Sequence, residues 1–372
     1  MAEAKLRIAP PRAWAFTLGR QGLIDHQLRP LDVVRRLVAV QSQYSASVPV
    51  AVWSRQGDTP PGWVDDALLK NKTLVRVWTL RGTVHTLASR DLPLLTGLRL
   101  ESHDYWLGLY LKSHGVTAGQ LERRNRKILA ALEDGPLTRA ELHERVPELK
   151  GMRGAGYGLD VRPLAFTGEV VFAGQKGGQP RFARRELWLP RLKWDPPGAL
   201  KAGCELLRRY YAAYGPASRQ DFAYWSGLKS AQARPLFAAC ADELAEVEVD
   251  GWPSGQLVLR RDLRELARSD AELPAVSLLP KFDNLLLAWR DKGRVVDPAG
   301  YKLVYRKAAQ VEAVVLLSGR VAATWRASGK RILKVELEPA RRLAKAEMKL
   351  IEGEFDRYAH WQGCSGAAVA VR

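Results

Sequence analysis

Apolar residues along the chain fall into two rhythms, one of three to four residues and one of two. Leu31, Val34, Leu37 and Val38 share a helical face and predict a helix over 30–41, followed by a helix over 63–70 and an extended segment over 73–80. The middle of the chain repeats itself. Amphipathic helices predicted over 127–132 and 206–213 lead into two matching stretches, Gly135-Pro136-Leu137-Thr138-Arg139-Ala140-Glu141-Leu142 and Gly215-Pro216-Ala217-Ser218-Arg219-Gln220-Asp221-Phe222. In each copy Thr138 or Ser218 stands as an N-cap with an acid three residues on, the capping-box signature of a second helix. Third helices are predicted over 153–166 and 230–240. Paired strands follow over 169–173 with 180–183, and over 244–249 with 256–259. The first ribbon has a glycine-rich tip, Gly174-Gln175-Lys176-Gly177-Gly178. Three helices and a two-stranded ribbon make a winged helix-turn-helix, and repetition of the whole unit argues against chance. The first hundred residues read as a third, diverged copy.

From residue 273 the pattern changes. Segments 276–279, 284–289, 311–317, 320–327 and 332–337 are rich in Val, Leu and Trp and read as strands of a small sheet or barrel. Pro339 opens a helix reaching about residue 359, carrying Arg341, Arg342 and Lys345, and 366–371 reads as one more strand. The predicted class is α+β: three tandem winged-helix units at 1–119, 120–196 and 197–272, then a small β-barrel with a C-terminal helix at 273–372.

Composition narrows the function. Of 372 residues, 47% are hydrophobic and 26% charged, which excludes disorder as the main state. No apolar run is long enough to cross a bilayer, and the charged, proline-containing start is unlike a secretion signal, so a cytoplasmic protein is expected. Three scattered cysteines give no disulfide framework or zinc motif. The formal charge of +18 is easiest to reconcile with a polyanionic partner, and nucleic acid fits best because the basic clusters are dispersed over a folded surface.

Familiar enzyme signatures are missing. There is no phosphate-binding G-x-x-x-x-G-K-[ST], no H-E-x-x-H and no G-x-S-x-G, and the six histidines never pair at helical spacing. No metal and no cofactor are therefore expected. Gly154-Ala155-Gly156-Tyr157-Gly158 reads as a turn before the third helix of the second unit, with helix-hairpin-helix binding to the DNA backbone as the second option. Gln41-Ser42-Gln43 ends the first apolar helix; two uncharged amides there could hold a water without competing for its proton. On spacing alone, the plainer alternative is that the glutamines cap backbone groups at a helix terminus. His85, in Arg81-Gly82-Thr83-Val84-His85, is either a proton carrier or phosphate contact, or a structural residue. Asp283, beside Lys281 in Leu279-Pro280-Lys281-Phe282-Asp283, either positions a water or caps a turn.

Gln41-x-Gln43, Arg81-Gly82-Thr83-Val84-His85, Leu187-Trp188-Leu189-Pro190, Leu279-Pro280-Lys281-Phe282-Asp283 and Gly319-Arg320-Val321 with Thr324-Trp325 occur in that order across most of the chain. As an ordered set they resemble the AlkZ/YcaQ family of winged-helix DNA glycosylases. The resemblance implies a clamp around duplex DNA and metal-free hydrolysis of the N-glycosidic bond of alkylated purines, chiefly N7-alkylguanine. Gln41 and Gln43 match the family's catalytic Q-Φ-Q triplet, the branch associated with bulky adducts and crosslinks; Ser42 departs from its aliphatic middle position. Arg81, His85, Lys281 and Asp283 are accessory candidates. The expected DNA contacts are Arg153, Lys176 and Arg181 in the second unit, and Trp325, Arg326, Lys330 and Arg331 in a hairpin of the last region. A monomer acting on double-stranded DNA, without a membrane partner, is expected. The competing reading is a non-enzymatic winged-helix regulator, which leaves the C-terminal β region and the ordered motifs unexplained.

Overall fold

A computed structural model describes residues 5–150, 158, 160–270 and 272–372. The chain forms two compact units, Val64–Leu206 and a second assembled from Met1–Trp63 and Leu207–Arg372.

In the unit Val64–Leu206, an antiparallel sheet runs in the spatial order Val84–Ala88, Leu74–Trp78, Val170–Lys176, Gln179–Arg184, Leu137–Thr138. Helix Ala118–Ala131 turns Leu121 and Ile128 inward, two helical turns apart. Helix Arg139–Arg145 opens on the predicted cap: Thr138 Oγ1 accepts the Glu141 N–H at 3.2 Å, and the Glu141 carboxylate accepts the Thr138 N–H at 2.7 Å. The ribbon turns tightly at Gly177 and Gly178, both at positive φ (57° and 75°), the backbone that a two-residue hairpin loop demands. Described residues of the predicted 153–166 helix form Arg162–Phe166.

The other unit repeats this order of elements. After helix Ala199–Tyr214 come helices Arg219–Ser226 and Ser230–Ala239, then the hairpin Leu244–Val249 and Gln256–Leu259. Strand Leu6–Ile8 adds to this hairpin in parallel, with Ile8 opposite Val249, and Ile8, Phe16, Val247, Val258 and Leu266 form a small core beneath.

The last hundred residues depart from the expected barrel. Five strands lie in the order Val276–Leu279, Val314–Leu317, Arg320–Ser328, Leu333–Pro339, Ala367–Val371, and among the described residues the two outer strands remain edges, so the sheet is open. The first four are antiparallel; the last runs parallel to Leu333–Pro339 because helix Lys345–Trp361 makes the crossover between them. That helix buries Ile351, Phe355, Tyr358 and Ala359 against Leu333, Val335 and Leu337, which alternate with exposed Lys334, Glu336 and Glu338. A sheet with one face covered in this way needs no closure to bury its apolar side.

Two further expectations change. The stretch 284–289 contains a helix, Asn284–Leu287, because Asp283 caps it by accepting the Leu285 N–H at 2.9 Å. The C-terminal helix starts at Lys345 and not at Pro339: Glu347 accepts the Ala344 N–H at 2.8 Å, while Arg341 grips the same carboxylate at 2.7 and 3.0 Å.

Candidate active site

The Gln41–Gln43 segment is built differently from the helix end that its spacing suggests. Pro30 and Asp32 suit the first turn of a helix, but the helix stops at Arg36. Val38 then takes a left-handed backbone, φ 69°, and Val40–Gln41 is extended. A β-branched residue in that region is strained and persists only where its surroundings fix it. Here they do. The Leu37 carbonyl accepts from Tyr214 Oη at 2.9 Å and Asn284 Nδ2 at 3.3 Å, and the Ala39 carbonyl accepts from Asn284 Nδ2 at 2.8 Å. Gln41 is buried, 5% exposed, with Ser42 buried beside it, whereas Gln43 lies at the surface. Helix Ser47–Gln56 follows directly, so the glutamines occupy a short link tethered at both ends.

Lys281, Phe282 and Asp283 lie in the same unit. The Tyr44 ring, just after Gln43, stacks on Phe282 at 5.8 Å and 20°, with the Lys281 ammonium 5.4 Å from its centre; Tyr44 Oη donates to Gln310 Oε1 at 3.1 Å. Lys281 pairs with Glu312 at 2.8 Å, and Arg326 reaches the other oxygen of Glu312 at 3.6 Å. Asp283 is fully buried, and both its oxygens are taken by Arg55, at 2.7 and 2.9 Å. With the helix cap added, both carboxylate oxygens are engaged, and the turn-capping alternative is the contact the structure makes. Arg55 is the buried partner that sequence reasoning missed; its signal is a guanidinium inside the apolar run of Ser47–Gln56.

Arg81 and His85 belong to the other unit. Arg81 (φ 54°) and Gly82 (φ 71°) form the turn between strands Leu74–Trp78 and Val84–Ala88. His85 is 1% exposed, with Nδ1 3.0 Å from the Thr83 carbonyl; a carbonyl only accepts, so that nitrogen carries hydrogen.

The expected DNA contacts divide. Lys330 and Arg331 are exposed in the turn between strands Arg320–Ser328 and Leu333–Pro339, and Arg326 is exposed on the first of these strands. Lys176, at the ribbon tip, is exposed but pairs with Glu141 at 2.6 Å. Arg181 donates to the Pro136 carbonyl at 3.0 and 3.3 Å. Trp325 is a correction: it is 7% exposed, packs on Phe355 and Tyr358, and donates Nε1 to Leu279 and Val314 carbonyls, because the strand turns it into the core. Arg153 and most of the 154–158 glycine segment lie outside the described residues. Single basic residues also turn inward: Arg124 bonds to Tyr110 Oη, and Arg185 stacks on Trp194 at 3.8 Å.

The AlkZ-like DNA glycosylase model matches residues 34–361, a span that contains Gln41, Gln43 and every later motif of the ordered set. The chain belongs to the AlkZ-like DNA glycosylase family. It is 27% identical to the interstrand DNA cross-link repair glycosylase of Streptomyces sahachiroi over 97% of this chain and 98% of that one. Its fold is similar to the solved structure of Streptomyces sahachiroi DNA glycosylase AlkZ, with a TM-score of 0.85 and 26% identity, covering 99% of this chain and 100% of the other. Membership in a glycosylase family displaces the regulator reading. Among the described residues no group of three or more His, Cys, Asp or Glu side chains is placed to hold a metal, and no helix is long and apolar enough to cross a membrane.

Proposed function

We propose that this glycosylase hydrolyses the N-glycosidic bond of N7-alkylated guanine in duplex DNA, including bulky adducts and interstrand crosslinks, with Gln41 and Gln43 as its catalytic pair. The observation that carries the reading is near-complete overlap with a crosslink-repair glycosylase in a chain that keeps the Gln41-x-Gln43 spacing. Alkylation at N7 places a positive charge on the base, so the C1′–N9 electron pair leaves with it and neutralises it without a general acid. A water then bonds to C1′ and loses its proton to solvent. What the protein must supply is stabilisation of an oxocarbenium-like sugar and a held water. Amide oxygens do both without being protonated near neutral pH, which leaves no step for a metal. The buried Gln41 supplies a fixed acceptor, and the exposed Gln43 is accessible to substrate.

Lys281 is engaged by Glu312 at 2.8 Å, which makes it a poor candidate for the amine of Schiff-base chemistry. The expected product is accordingly an abasic site in an uncut strand. Segments 1–119, 120–196 and 197–272 are proposed as tandem winged-helix units that grip DNA together with 273–372, as a cytoplasmic monomer. The exposed Lys330–Arg331 turn would meet the duplex, and neutralising about six phosphates would lower affinity roughly a thousandfold between 50 and 200 mM salt.

Single-turnover release of N7-alkylguanine from a defined duplex tests the mechanism. Gln41→Ala and Gln43→Ala should each slow release at least tenfold, toward the roughly 10²–10³-fold loss of one positioned donor, while binding to undamaged duplex holds. Wild-type release by the folded double variant would remove the assignment. Release abolished by chelator, or a borohydride-trapped protein–DNA adduct, would overturn the metal-free, monofunctional chemistry.

A further inference from the structure

The turn that delivers Gln41 is held by two side chains distant from it in sequence. Asn284 Nδ2 donates to Ala39 and Leu37 carbonyls and to Tyr214 Oη, the last at 3.0 Å; Tyr214 Oη donates to the Leu37 carbonyl. The two carbonyls flank Val38, whose left-handed backbone its own side chain disfavours. The bonds thus fix both sides of the one residue whose local preference would reshape the turn, three residues before Gln41.

The anchors are themselves rigid. Asn284 opens a helix capped by Asp283, and Asp283 is locked by Arg55 with both side chains fully buried. The Tyr214 ring packs against Tyr210 and Trp225 at 5.4 and 5.6 Å, and its carbonyl accepts from Trp289 Nε1 at 3.1 Å. Tyr214 and Asn284 are themselves buried, at 0% and 5% exposure.

We propose that Asn284 and Tyr214 are positioning residues for base excision: by fixing the Leu37 and Ala39 carbonyls they set the place and direction of Gln41. The inference rests on the catalytic reading of Gln41. A displacement of about 1 Å in a reacting group can cost on the order of a hundredfold in rate, so a hydroxyl that touches no substrate can still control turnover.

The test is a double-substitution cycle on the full chain. Tyr214→Phe removes one hydroxyl and keeps the ring packing; Asn284→Ala removes the amide. Each is made in the wild-type and Gln41→Ala backgrounds, with enzyme-dependent base release above spontaneous depurination measured at saturating enzyme. Undamaged-duplex affinity and the thermal midpoint are followed alongside. In the wild-type background both variants should slow release about tenfold or more with duplex affinity kept within twofold. In the Gln41→Ala background neither should slow it further, because the group they orient is gone. Wild-type release by Tyr214→Phe, or equal slowing in both backgrounds, overturns the inference. Should Asn284→Ala fail to fold, Tyr214→Phe decides. Unchanged release by Gln41→Ala alone would instead remove the catalytic reading, an outcome distinct from failure of the positioning role.

Discussion

Thr138-Arg139-Ala140-Glu141 and Ser218-Arg219-Gln220-Asp221 write the same helix start twice, and the structure uses it in two ways. In both, the hydroxyl accepts the N–H three residues on, and the acid accepts the cap N–H in return. Glu141 then turns outward to Lys176 on the ribbon of its own repeat. Asp221 is 3% exposed: one oxygen accepts the Arg290 N–H at 2.8 Å, and the other lies 3.5 Å from Arg294. Arg294 in turn donates to the Pro216 carbonyl and Gln256 Oε1, and burial pushes its guanidinium pKa down. The first cap closes on its own repeat; the second is fastened to the connection between the first two strands of the C-terminal sheet. A capping box therefore fixes where a helix begins, while the length and burial of its acid decide what the helix is fastened to.

The largest test of this contrast is Asp221→Ala. It leaves Arg294 buried without its carboxylate and should cost about 3–5 kcal/mol in urea unfolding. Glu141→Ala should cost clearly less, and equal losses would show that burial of the acid is irrelevant. Next come the hydroxyls. Thr138→Ala and Ser218→Ala should each cost about 1 kcal/mol, read from hydrogen exchange in the helix that each begins, because the local cap is the same. A large difference between them would mean that the shared geometry hides unequal strain.

The smallest effect is electrostatic. The Lys176 ammonium, followed by the Thr138 N–H and hydroxyl, holds the Glu141 carboxyl at about 2. A folded value below the unfolded one stabilises the fold above the unfolded range near 4.5, and that contribution is lost as pH falls toward 2. Lys176→Met should raise the midpoint of the Glu141 carboxyl in an NMR titration. No movement would assign the shift to the cap alone.

Local and repeated features were legible in the sequence. Both capping boxes and the strands 244–249 and 256–259 appear where the residues place them, because a cap or an alternating strand carries its own signal. Features that depend on distant partners were not. The helix that begins at Pro30 stops at Arg36, where Tyr214 and Asn284 hold the Leu37 and Ala39 carbonyls, information that lies outside the helix's own pattern. The apolar run after Asp283 has no clear period, and its cap, not its hydrophobicity, makes it helical. Sheet closure is likewise non-local, so strand content alone could not separate a barrel from an open sheet. The ordered motifs pointed correctly to the family, yet Trp325 shows that a residue within a motif can serve the core.

Strand Leu6–Ile8 finds its partner only near the far end of the repeat region, and the Arg7–Asp250 ion pair joins residues 243 positions apart. On a ribosome adding about 5–20 residues per second, the amino-terminal strand waits roughly 12–50 s for the Leu244–Val249 strand to be made. Residues 64–206, which make up the other compact unit, are synthesised within that interval. Until then the nascent chain carries an unmatched strand edge at Leu6–Ile8, and a chaperone that shields extended segments would have most to protect there.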